Sequence, residues 1–376
     1  MRIEPAQAGM ATEEIDMFVF APLRAHKRSW LAASLAFFTA CGFASAAAAE
    51  DDVAAFFRNK TIEMAIGFDV GGGYDLYGRA VARYMGKHIP GNPLIVPQNM
   101  LGAGSRTAAN WLYNVAPKDG TAIGTFDQGS PLDQAMREPG IQFDAAQFYW
   151  LGNPIVDNLV TFSTRASKIA SLAELKAVGT LFCGDVGAGP TNTFPQIINR
   201  LLKTNIKIVS GYPGVNAIYL AMDRGEVNCI GGSTWSSMKA TRGPQLQNHD
   251  FNLLLQWGTQ KDPEISAYVG SDVLLSADLG ATDLDRKALL LINSSATIGR
   301  PLAAPPGLPK ERAEALRRAF DETMKDPDFL ADAAKANMVI KPFGGSDLQR
   351  LATEVARAPQ DEVKLAEELT GLSESR

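Results

Sequence analysis

Cysteine, histidine and excess positive charge are all scarce in this sequence, and each scarcity closes off a class of function. Only three cysteines and three histidines occur in 376 residues. There is no Cys-x-x-Cys pair, and His88 and His249 stand apart from one another, so no metal-ligand spacing exists. Lys and Arg number 36 against 41 Asp and Glu, for a net charge of −5, which is not the basic footprint of a nucleic-acid binder. The phosphate-binding pattern Gly-x-x-x-x-Gly-Lys-Ser/Thr is absent. The glycine spacing also fails the dinucleotide fingerprint, and no Gly-x-Ser-x-Gly nucleophile elbow occurs. Without a nucleophile–base pair or a metal cluster, little chemistry is available for catalysis, and neither a cofactor nor a metal is expected.

What is present is ordinary globular material. The hydrophobic share is 46% and the charged share 20%, and the length suggests roughly two domains at about 100–200 residues each. Residues 1–49 read as an N-terminal extension followed by a secretory signal. Arg24, His26, Lys27 and Arg28 precede an apolar run from Trp30 to Phe43, and small residues from Ala44 to Ala49 follow. Cleavage is expected after Ala49 or Ala46, with Met17 an alternative start. The run is too short and Ala-rich for a membrane span. Thr39-Ala40-Cys41 offers a rival reading as a lipoprotein acceptor, which Phe38 fits poorly. Export to the periplasm is the expectation. Beyond this stretch only Cys183 and Cys229 remain, either paired in an oxidising compartment or buried as free thiols.

The stretch Gly67-Phe68-Asp69-Val70-Gly71-Gly72-Gly73-Tyr74-Asp75 lies between an apolar run, Thr61 to Ile66, and an apolar-periodic run containing Leu76, Ala80, Val81 and Tyr84. That is strand, glycine turn, helix. Consecutive glycines let backbone approach a ligand closely, and a helix start presents unpaired N–H groups that favour anions. Asp75 stands where an N-cap is expected. A second strand, Leu94–Asn99, ends in a similar loop, Met100-Leu101-Gly102-Ala103-Gly104-Ser105. Further strand–helix alternation through Thr121–Phe126 implies a mostly parallel sheet, with ligands at the carboxyl ends of its strands.

Phe148–Arg165 reads as extended chain leading out of this first unit. A second alternation follows. It contains a capped helix at Ser171–Ala177, a strand at Thr180–Cys183, a glycine loop from Gly184 to Thr191, and a helix at Phe194–Lys203. A strand at Ile206–Val209, a helix at Asn216–Met222 and a strand at Val227–Ile230 come next. Gly231-Gly232-Ser233-Thr234 reads as a loop opening another helix, and Phe251–Trp257 as a strand. Lys287–Ala303 reads as an extended return. Helices at Pro309–Met324, Asp328–Asn337, Leu348–Arg357 and Gln360–Leu369, with a short strand at Met338–Pro342, are expected to pack on the first domain. Two crossings, near 155–165 and 285–300, then form a hinge.

These residues resemble the periplasmic solute receptors of tripartite tricarboxylate transporters, also called Bug-type receptors. The likeness covers nearly all of residues 60–370. It is carried by Gly71-Gly72-Gly73-x-Asp75-x-x-x-Arg79, Asn99-x-x-Gly102-Ala103-Gly104 and Pro117-x-Asp119-Gly120-Thr121. Gly187-x-Gly189-Pro190-Thr191, Tyr212-Pro213-Gly214, the run from Ala221 to Asn228, Pro306-x-Leu308 and Lys325-Asp326-Pro327 continue it. The chain departs from the family pattern at Asp69-Val70, where prolines usually precede the glycines, and at Tyr74. The resemblance implies an α/β, type II periplasmic-binding fold, with two lobes joined by two crossover segments and closing on a carboxylate as a Venus flytrap. Residues 50–157 plus 296–376 form lobe 1 in this reading, and 158–295 form lobe 2. Backbone N–H groups and small polar side chains of the first two loops hold the carboxylate. Carried over, the ligand-binding residues are Gly72, Gly73, Tyr74 and Asp75 in the first loop, Gly104 and Ser105 in the second, and Gly189, Thr191 and Pro213 opposite.

The implied function is a non-enzymatic, monomeric receptor that delivers a small carboxylate to the membrane permease of a tripartite transporter. A sensory receptor serving a sensor kinase, or a secreted enzyme on the same fold, are the alternatives. For single residues, bland roles stand beside these. Asp75 caps its helix and pairs with Arg79 one turn on. Ser105 and Thr191 lie at helix starts, and Trp235 suits a core. Tyr74 either stacks on a ligand or covers the hinge.

Overall fold

The computed structural model describes residues 51–68, 70–186, 189–212 and 214–371. The signal, its extension and the Cys41 acceptor site lie outside the described residues, as do Asp69, Gly187 and Pro213.

Helix α1, described over residues 51–57, leads into β1 (Thr61–Ile66), α2 (Gly73–Met85), β2 (Leu94–Asn99), α3 (Arg106–Asn114), β3 (Ala122–Thr125), α4 (Ser130–Ala135) and β4 (Tyr149–Asn153). The chain then enters a second layer through β5 (Leu159–Thr164), α5 (Leu172–Val178), β6 (Thr180–Asp185), α6 (Pro190–Leu202), β7 (Asn205–Ser210), α7 (Val215–Asp223) and β8 (Cys229–Thr234). Helices α8 (Trp235–Thr241) and α9 (Gly243–Gln247), β9 (Phe251–Trp257), α10 (Pro263–Val269) and α11 (Asp283–Ile298) complete that layer. It returns through β10 (Leu302–Ala304), α12 (Lys310–Thr323), α13 (Pro327–Lys335), β11 (Phe343–Gly344), α14 (Gly345–Ala356) and α15 (Gln360–Thr370).

Two sheets result, ordered β11-β4-β10-β3-β1-β2 and β7-β6-β8-β5-β9. In the first, β1 is parallel to β2 and β3, and β10 enters antiparallel between β3 and β4. In the second, β6 is parallel to β7 and β8, while β5 runs antiparallel to β8 and β9. Alternating side chains decide the faces. Ile62, Met64 and Ile66 pack with Val81, Met85 and Phe320 on one side of the first sheet, and Leu112, Phe126 and Trp150 pack on the other. Cys183 and Cys229 are register partners on β6 and β8 and form a buried disulfide.

Four expectations give way. Residues 287–298 are helical rather than extended. Thr282 caps α11 with Asp285 as its reciprocal partner, and Leu289, Ile292 and Ala296 recur at helical spacing on the core face. The serines in this run are absorbed locally, since Ser294 and Ser295 donate to the carbonyls of Leu291 and Ile292 at 2.6 and 3.2 Å. Gly231 and Gly232 belong to β8, not to a loop. A Cβ at Gly232 stands 2.5 Å from Pro190 and 2.9 Å from Phe194, so glycine here lets α6 lie flush on the strand. Finally, α15 does not pack on the first sheet. Val363, Ala366 and Leu369 join α6 and α11 in the core of the second layer, and Arg200 donates to the Leu369 carbonyl at 2.9 Å. The connection from α14 to α15 is thus a third passage between the layers. The short strand expected at Met338–Pro342 also moves, to Phe343–Gly344 on the edge beside β4.

Candidate functional site

The first two glycine loops emerge side by side. Ile66, at the end of β1, is the register partner of Asn99 at the end of β2 and of Thr125 at the end of β3. Asp75 organises this edge, in a role the sequence misassigns. It is not the N-cap, which is Gly72 with extended backbone and no side-chain cap. Asp75 lies in the first turn of α2, 2% exposed, and its carboxylate reaches back to accept from the Gly71 N–H at 2.9 Å. The same carboxylate accepts from Arg79 Nε at 2.7 Å and Asn99 Nδ2 at 2.9 Å. Asn99 also donates to the Phe68 carbonyl and accepts from Arg79 Nη2. Burial alone raises the Asp75 pKa, but the bonds from Gly71, Asn99 and Arg79 outweigh it and hold the carboxyl below its usual range. The expected Asp75–Arg79 pair is therefore present, and it fixes the loop.

The second loop is unusual in its backbone. Gly102, Ala103, Gly104 and Ser105 all have positive φ, at 131°, 48°, 62° and 71°. Ala103 and Ser105 pay for that conformation with steric strain, which clusters at ligand-handling loops. Ser105 uses its hydroxyl to accept from the Asp127 N–H at 2.8 Å, tying this loop to the one after β3. Tyr74 turns toward the crossing between layers. Its ring stacks on Phe68 at 4.1 Å, and its hydroxyl accepts from Gln128 N–H and donates to the Gly299 carbonyl at 3.3 Å. Burial and the nearby Asp127 push its pKa well up.

In the second layer Asp185, fully buried at the end of β6, accepts from the Thr191 hydroxyl at 2.8 Å, Asn192 Nδ2 at 2.9 Å and the Ser210 hydroxyl at 2.8 Å. Ser210 ends β7 and is the register partner of Asp185. Gly189 has φ +69° as the residue before α6, with open space where a Cβ would stand. Gly72, Gly73, Tyr74, Asp75, Gly104 and Ser105 thus share one edge of the first sheet. Gly189 and Thr191 share an edge of the second, and Trp235 is buried in that layer's core.

The passage between layers is knit by Asn153, which is fully buried. Its side chain donates to the carbonyls of Ile155 and Thr297 at 2.6 and 3.0 Å and accepts from the N–H groups of Ile155 and Arg300. Lys341 joins as a third segment, bonded to Pro154 and Val156. Just beyond lies Asp157, 8% exposed, which accepts from both the N–H and the hydroxyl of Ser236. Ser236 and Val339 line a hollow of about 410 Å³, and Tyr77 donates to the Val339 carbonyl at 2.9 Å. A larger groove of about 780 Å³ between α11, α14 and α15 includes none of the glycine loops.

Sequence reasoning misses Arg300. Its guanidinium lies over the Tyr77 ring at 4.7 Å, and a Cβ placed on Gly73 would stand 2.8 Å from its Nε and 2.9 Å from its Nη2. Among the described residues its guanidinium forms no ion pair. The available signal was its position, inside the second expected crossing between Gly299 and Pro301.

No family model matches the chain, and no curated protein matches it. Solved structures do. A TctC solute-binding protein from Polaromonas aligns over 81% of this chain and 98% of its own, at TM-score 0.59 and 14% identity. The MatC protein of Rhodopseudomonas palustris with bound malate aligns over 83% and 99%, at TM-score 0.55 and 18% identity. A further R. palustris protein, with adipate, aligns over 83% and 97%, at TM-score 0.57 and 17% identity. The two-layer α/β fold of this chain is the one it shares with periplasmic solute-binding proteins.

Proposed function

We propose that this protein is a solute receptor that captures a small carboxylate between its two α/β layers and hands it to a tripartite tricarboxylate-type permease. The observation that carries the reading is the pairing of two bare-backbone loops at the in-register ends of β1 and β2, beside the interlayer passage. The first amides of α2 have no acceptor within the helix, and backbone N–H groups aimed at one anion are each worth about 1.5–3 kcal/mol. The ligands in two fold neighbours, malate and adipate, are both carboxylates and suit such a site. An export route accords with the Cys183–Cys229 disulfide, which oxidising compartments favour. Among the described residues no helix is long and apolar enough to cross a membrane. Delivery to a separate permease is consistent with that.

A thermal-shift screen of malate, adipate, citrate, glutamate and benzoate tests the reading. A ligand at about 100 times its Kd adds about 2.7 kcal/mol of stability. Stabilisation by at least one acid is expected. Absence of any shift across the panel rejects the carboxylate assignment, and chemical turnover of a bound acid replaces receptor with enzyme.

A further inference from the structure

We infer that Arg300 is the side chain that reads the ionised group of the ligand, and that residue 73 is glycine in order to seat its guanidinium. The inference rests on the carboxylate reading above and names the residue that enforces it.

The position of Arg300 is over-determined. Its backbone N–H donates to Asn153 at 3.0 Å, inside the network that ties the passage segments together. Its guanidinium is sandwiched between the Tyr77 ring and the backbone of Gly73, the first residue of α2. A cation laid on a helix amino terminus is disfavoured by the positive end of the dipole, so this placement is costly unless an anion joins it. The nearby carboxylate meets that need only at a distance. Burial raises the Asp157 pKa and the Arg300 charge opposes it, but Asp157 is bonded to the N–H and hydroxyl of Ser236 and, among the described residues, forms no ion pair with Arg300. An anion on the α2 amides therefore lies beside a planar donor fork that is held on its ring and, among the described residues, makes no ion pair, and carboxylates are suited to accept from such a fork in bidentate fashion. The same geometry gives the third glycine a different purpose from close ligand approach. Any side chain there meets the guanidinium first.

The test compares wild type, Arg300→Gln, Arg300→Lys and Gly73→Ala by calorimetry against whichever of malate, adipate, citrate, glutamate and benzoate stabilises the wild type, with thermal unfolding of each protein without ligand alongside. Arg300→Gln is expected to weaken acid binding about tenfold to hundredfold. Arg300→Lys should recover part of that loss, because it keeps the charge and gives up the fork. Gly73→Ala should weaken binding severalfold by displacing the guanidinium. Undiminished affinity in Arg300→Gln overturns the inference, as does an Arg300→Lys protein no better than Arg300→Gln, which marks a structural role. If Arg300→Gln fails to fold, Gly73→Ala decides, and unchanged affinity there overturns the proposal. A wild type that binds none of the five acids defeats the carboxylate reading itself and this inference with it, a result distinct from a wild type that binds without help from Arg300.

Discussion

Both layers anchor a glycine loop with a buried aspartate, yet with different partners. Asp75 is met by a guanidinium, a side-chain amide and a backbone N–H, while the partners of Asp185 include the hydroxyls of Thr191 and Ser210. The difference lies in reversibility. A hydroxyl can turn from donor to acceptor, whereas guanidinium and backbone N–H cannot. The first loop is therefore committed to a carboxylate at its centre, while the hydroxyls of the second, set beside the Asn192 amide, make an amide there less costly.

The sharpest way to break this comparison is to make the same substitution in both. Asp75→Asn should cost about 2–3 kcal/mol, because donors then face a donor amide in a buried site. Asp185→Asn should cost less, about 1–2 kcal/mol, as the Thr191 and Ser210 hydroxyls reorient while the Asn192 amide donor does not. Urea denaturation of the two variants measures both, and equal losses would remove the distinction. Lowering the pH sharpens it. The Asp75 carboxyl titrates below its unfolded value, so its contribution is complete above about pH 4 and is lost as pH falls through the depressed pKa. The gap between wild type and Asp75→Asn should close under strong acid.

A smaller effect of opposite sign is expected on α4, next to the loop that follows β2. Burial, and then the neighbouring Asp127, push the Asp133 carboxyl up to about 7, against the pull of Arg106. A raised carboxyl favours the fold when protonated, so its contribution is present at low pH and fades as pH rises from about 4 toward 7. Asp133→Asn should be more stable than wild type at pH 8, with the advantage shrinking by pH 5 in thermal melts. The smallest change belongs to Gly104→Ala. Open space surrounds the new methyl group, so only the left-handed backbone at φ +62° opposes it, at about 1 kcal/mol.

Much of the first sheet was legible because its signals are local. Apolar runs bounded by glycine mark β1 and β2, and the four-residue spacing of Asp75 and Arg79 sets their ion pair. What escaped depends on contacts far apart in the chain. Gly231 and Gly232 read as a turn until the prolines of α6 are laid against them. Lys287–Ala303 reads as extended until Asn293 is seen to donate to Ser276 at 2.7 Å and the apolar side chains of α11 meet the core. Arg300 carries no motif, and its importance appears only when residue 73 is brought beneath it.

Gly299 ends α11 with φ +63°, and Arg300 follows it directly. The long helix of the second layer and the charged fork above the first loop are thus separated by a single left-handed turn. Tyr74 of the first loop bonds the Gly299 carbonyl and Asn153 of the passage bonds the Arg300 N–H, so the turn and the fork are fastened to the same loop and passage. A substitution at Tyr74 or Asn153 is therefore expected to be felt at the fork.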